Sequence, residues 1–125
     1  MLNFEASDLE GYGATYSERL ATANWFADHI VTASLFCTVD GVNVDLSSYR
    51  DISPEFNFTA PSPWYYGTTG GYGAAVSDGY FVMVKPFNAG NHTIHYGGTF
   101  HFAVADGDGF DFDASADVTY NITAQ

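Results

Sequence analysis

The sequence predicts a mainly β fold: an antiparallel β-sandwich, jelly-roll or immunoglobulin-like, with one N-terminal helix packed on an edge or face. Three observations predict it. Short runs in which apolar and polar residues alternate fill most of the chain after residue 32. Gly, Pro, Asn and Asp clusters separate those runs at short intervals. A 3.6-residue periodicity occurs once, near the N-terminus. At 125 residues, 46% apolar and 18% aromatic, the chain is expected to bury one core. Residues 1–125 thus read as a single domain, with an extended arm over 1–14, a helix over 15–31 and strands over 32–125.

The arm carries Glu5, Asp8 and Glu10 without periodicity. Thr15 and Glu18 have the spacing of a capping box, which satisfies orphan amides at a helix start. Tyr16, Leu20, Ala23, Ala27, Ile30 and Val31 then form a stripe expected to face the core. Trp25 projects to nearly the opposite side, where a second neighbour or a partner chain is expected. A homo-oligomer through the Trp25 face is therefore a candidate assembly.

Period-two alternation follows, with Ala33, Leu35, Cys37 and Val39 on one face. Asp40-Gly41 is a strong hairpin signal, because Gly accepts the positive φ of a tight turn. Residues 46–51 read as an irregular turn, and Phe56 and Phe58 alternate in a strand over 54–59. Residues 60–78, rich in Pro and Gly, read as a long loop. Strands are predicted over 80–86 and from His92, with a turn over 88–91. Gly97-Gly98 is expected to bend or bulge the chain before a strand over 99–104. An acidic loop then leads to a final strand over 117–123, with Val118, Tyr120 and Ile122 on one face.

The stretch SDGYFVMVKPFNAGNHTIHYGGTF (77–100), with DVTYNIT (117–123) at the end, carries a resemblance. Together with TVDGVNV (38–44), Tyr49-Arg50 and SPEFNF (53–58), these segments resemble a family of uncharacterised, mostly secreted bacterial β-domains over roughly residues 36–125. The resemblance implies a β-domain and a secreted or periplasmic setting; it implies no activity. The chain as given shows no basic-then-apolar signal segment and no apolar run of membrane-spanning length, so it is expected to be cytosolic or already trimmed.

Fifteen Asp plus Glu against Arg19, Arg50 and Lys85 give a formal charge of −12. That charge repels phosphate, so neither nucleic acid nor a membrane surface is expected as a main partner. Cys37, the single cysteine, cannot form an intramolecular disulfide; in its apolar run it reads as a buried, inert thiol.

Four groups of residues are candidates for chemistry. Trp64, Tyr65, Tyr66 and Tyr72 cluster among Gly-rich turns, and flat aromatic faces there suit a neutral glycan or a protein partner. Asp106, Asp108, Asp111, Asp113 and Asp117 offer hard oxygen ligands on a Gly-flexible segment, a candidate Ca²⁺ site with a solvated acidic turn as the alternative. It departs from an EF-hand loop in carrying Asp111 at the sixth position, where that loop needs Gly. His92, His95 and His101 read as hydrogen-bonded histidines or, with a bend, a zinc site. Asn57, Asn91 and Asn121 each open an Asn-x-Thr sequon, read as strand polarity. No nucleophile-elbow, phosphate-loop, dinucleotide or zinc-protease motif occurs. The first expectation is a non-catalytic module acting by surface recognition or self-association. A carbohydrate-binding module, with Ca²⁺ as a stabilising ion, comes second and a hydrolase-like enzyme third.

Overall fold

A computed structural model describes residues 2–64 and 67–125. The fold is mainly β, as the sequence predicts, with two antiparallel sheets and a single α-helix among the described residues. The described residues form two compact units: a helical unit within 3–28 and 51–79, and a strand unit of residues 2, 29–50 and 80–125.

In the helical unit, part of the expected arm is a strand, β1 (Asn3–Ser7), followed by α1 (Tyr16–Asp28). The capping box forms: Glu18 accepts the Thr15 N–H at 2.9 Å, and Thr15 Oγ1 accepts the Glu18 N–H at 3.3 Å. The helix buries Arg19, Ala23 and Ala27, whereas Tyr16 of the expected stripe is 43% exposed. Arg19 is tolerated inside because its guanidinium donates to the carbonyls of Gly13 and Ala14, at 3.1 and 3.0 Å, and pairs with Glu55. Trp25 is 39% exposed, its ring edge-on to Phe26.

The sheet of this region pairs β1 with β6 (Gly71–Tyr80), and β6 also pairs with β4 (Arg50–Ile52) and β5 (Phe56–Ala60). Between β4 and β5 stands Pro54, which has no N–H to give a ladder. α1 lies on the edge strand β1: Phe26 stacks on Phe4 with centroids 3.7 Å apart, and Tyr12 meets both rings edge-on. Ala6, Ala23 and Val76 form the core beneath.

β6 corrects the expected loop over 60–78, and residues 81–88 correct the expected strand over 80–86. The small residues of β6 satisfy close packing. A Cβ on Gly73 would stand 2.7 Å from Leu9 and 2.8 Å from Asp8.

In the strand unit the sheet order is β3-β2-β7-β8, with β2 (Phe36–Val39), β3 (Val42–Asn43), β7 (Gly90–Phe102) and β8 (Phe112–Ala124). Asp40 and Gly41 form the predicted two-residue hairpin loop, both at positive φ. The helix stops at Asp28 because the chain turns to pairing: Ile30 bridges Phe100, and the Val31 N–H donates to the Thr99 carbonyl at 2.9 Å. β7 and β8 pair without a break through all thirteen residues, so Gly97-Gly98 forms no bulge. The glycines serve packing on both faces. A Cβ on Gly97 would lie 2.7 Å from the Phe36 ring and 2.1 Å from the Ala116 carbonyl; one on Gly98 would lie 2.8 Å from Leu35. No helix among the described residues is long and apolar enough to cross a membrane.

Candidate functional site

The strand unit holds a cleft of about 630 Å³, built on the β2–β3 hairpin and the turn that follows it. The Val44 N–H donates to the Cys37 carbonyl, extending the hairpin past β3. The Asp45 carboxylate then accepts the Ser47 N–H at 3.0 Å, an Asx turn around Leu46, which is buried. Thr32, Asn43, Asp45, Ser47 and Tyr80 bring polar groups to the cleft; Leu35, Phe36, Val44 and Leu46 supply apolar wall. The Ser47 amide holds the Asp45 carboxyl below its ordinary range, so it is ionised at neutral pH. Sequence reasoning missed this cleft; the sole signal was the LSSYRD stretch (46–51) after a hairpin, read there as an irregular turn.

Of the predicted aromatic platform the described residues are Trp64 and Tyr72, which stand toward opposite faces of the sheet. Tyr72 is 72% exposed and shares a sheet face with Thr59, its direct cross-strand neighbour. Trp64 instead packs against Phe58, which alternation places on the opposite face, and buries its indole Nε1. Tyr65 and Tyr66 lie outside the described residues.

The five acidic residues are likewise dispersed, because β8 begins five residues before the predicted strand and carries Asp113 and Asp117. Asp113 bonds His101 at 2.6 Å and Asp117 bonds His95 at 2.7 Å. Asp108 accepts the Ala103 N–H and pairs with His29; Asp111 accepts the Val104 N–H; Asp106 is exposed in the turn Val104–Asp106. Among the described residues no three His, Cys, Asp or Glu side chains converge as a metal ion requires.

All four histidines of the chain bond an aspartate, the fourth pair being His92 with Asp40 at 2.7 Å. His95 and His101 share a face of β7 but stand six residues apart, about 20 Å at strand rise, each on its own carboxylate. The sequons are partly structural: Thr123 donates to the Asn91 side chain at 3.1 Å, and Thr93 to Asn121 at 3.5 Å. Cys37 is buried, and desolvation pushes its thiol up, away from nucleophilic thiolate. It also lines a smaller cavity of about 260 Å³ with Val82, Val84, Ile94, Tyr96 and Tyr120. Comparison with protein-family models, curated proteins and solved structures found no match for the chain.

Proposed function

We propose that this chain is a non-catalytic recognition module that takes a neutral carbohydrate in the cleft beside the β2–β3 hairpin. The observation that carries the reading is the cleft itself. Its volume of about 630 Å³ falls within the ~300–1,000 Å³ range of small-molecule sites. Its lining combines what a sugar needs, apolar wall for the C–H faces and residues with hydroxyl, amide and carboxylate groups for the ring hydroxyls. An ionised Asp45, in a chain of charge −12, disfavours anionic saccharides. The raised thiol of Cys37, and a His92 with both ring nitrogens engaged, support a role without catalysis.

Screening the chain on a glycan array tests the proposal. Binding to neutral glycans is expected, with Asp45→Ala weakening it about tenfold or more, the size of one lost hydrogen bond to a charged group. Silence across the array, or binding indifferent to Asp45→Ala and Tyr80→Phe, would refute it.

A further inference from the structure

β8 pairs with β7 along its whole length and forms the outer edge of its sheet. Its second edge therefore offers a row of backbone donors and acceptors thirteen residues long. Several features that blunt such an edge are missing from it: residues 112–124 contain no Pro, Lys or Arg, and the β7–β8 register has no bulge, leaving Asp113 and Asp117 as its charged residues. Alternation puts Phe112, Ala114, Ala116, Val118, Tyr120 and Ile122 on one face, with Phe112 57% and Tyr120 53% exposed.

We propose that this edge pairs with β8 of a second copy of the chain, antiparallel about a two-fold axis through Val118, joining the two sheets into one. The proposal is independent of the carbohydrate reading. Side chains opposite one another in an antiparallel pair share a face, so only registers that match residues of like parity keep apolar with apolar. Of these, the one centred on Val118 pairs all thirteen residues. It sets Phe112 opposite Ala124, Ala114 opposite Ile122 and Ala116 opposite Tyr120, a large side chain against a small one each time. On the polar face it sets Asp113 opposite Thr123 and Asp117 opposite Thr119, so no carboxylate stands directly opposite another. A register centred on Ser115 would set Asp113 against Asp117 twice. Charge thus permits the register that full-length pairing and shape select. Two chains of charge −12 still repel at long range, so dimerisation strengthens as salt is raised. A basic partner on the same edge would respond in the opposite sense.

Sedimentation equilibrium over a concentration series at low and high NaCl tests this on the full chain. A monomer–dimer equilibrium is expected, tighter at high salt. Thr119→Asp, which sets a new carboxylate opposite Asp117 twice per dimer, should weaken it about tenfold, while Thr119→Lys should strengthen it. Because residue 119 is exposed, both variants should fold. Under oxidation Val118→Cys should cross-link readily, since directly opposed Cα atoms lie within disulfide reach, whereas Phe112→Cys, far from its own copy, should not. A chain monomeric at every concentration and salt, or a dimer lost with Trp25→Ala and indifferent to Thr119→Asp, would overturn the proposal. So would equal cross-linking at 112 and 118.

Discussion

His92 donates through Nδ1 to the Asp40 carboxylate at 2.7 Å while its Nε2 faces the Asn88 carbonyl at 2.9 Å. A carboxylate and a carbonyl only accept, so the geometry is satisfied in full by an imidazole protonated on both nitrogens. Phe87 stacks on it, with centroids 4.4 Å apart. His92 thereby ties the β2–β3 turn to the segment that precedes β7, and Asp40 completes the tie by accepting the Thr93 N–H at 2.8 Å.

The pair sets a pH dependence. The Asp40 hydrogen bond holds His92 above its ordinary pKa, about 6.5, so its contribution is complete below that value and is lost as pH rises through the folded pKa. The bond to His92, then the Thr93 amide, holds Asp40 below about 3.9; its contribution is complete above that value and is lost as pH falls through the folded pKa. Melting temperature should therefore fall from mild acid to pH 8 in the wild type and fall less in Asp40→Asn. Nitrogen chemical shifts should show His92 doubly protonated at neutral pH; a neutral tautomer there would contradict the assignment.

Gly97 should be nearly irreplaceable. Alanine would place its Cβ 2.1 Å from the Ala116 carbonyl, and backbone cannot yield as a side-chain tip does. Denaturant titration should show Gly97→Ala destabilised by about 3 kcal/mol, the upper end of ordinary overpacking. Adding Phe36→Ala should not restore it, because the carbonyl clash remains. A loss under 1 kcal/mol, roughly the low end of that range, would show that β7 and β8 can separate locally.

This glycine pair marks where the sequence was readable and where it was not. Thr15 with Glu18 and Asp40 with Gly41 are local devices, whose partners lie within four residues, and both form as predicted. Gly97 and Gly73 are small because distant residues, Phe36 and Leu9, lie over them, and that reason is invisible to a window of neighbours. The same holds for Arg19, buried against a Glu55 thirty-six residues away. For the candidate site, proximity in sequence misled. Strand alternation sends Tyr72 and Phe58, with the Trp64 ring packed on it, to opposite faces, and an early start to β8 separates Asp113 and Asp117 from the turn. The cleft joins Thr32, Asp45 and Tyr80 from three separated segments, and spacing gives no sign of that.

Thr15→Ala should cost about 1 kcal/mol, the usual loss for an N-cap that bonds a helix amide. Thermal melts should place Thr15→Ser close to wild type and Thr15→Ala below it. Equal stability of all three would mean that α1 is held by Phe26 on Phe4 rather than by its cap.

Calcium and sodium should act alike on the acidic segment. With Asp108, Asp111, Asp113 and Asp117 each bonded to a separate group, added salt relieves repulsion only by screening. CaCl₂ and NaCl at matched ionic strength are expected to shift the melting temperature equally. A saturable shift with Ca²⁺ alone would show that the carboxylates can converge on an ion.

The most direct test of the account is amide shift mapping by NMR during titration with a neutral oligosaccharide that the array identifies. The account predicts saturable shifts at Thr32, Phe36, Asn43, Asp45, Ser47 and Tyr80, with Gly71–Ala74 unmoved. Shifts concentrated at Trp64 and Tyr72, with the cleft residues silent, would contradict it.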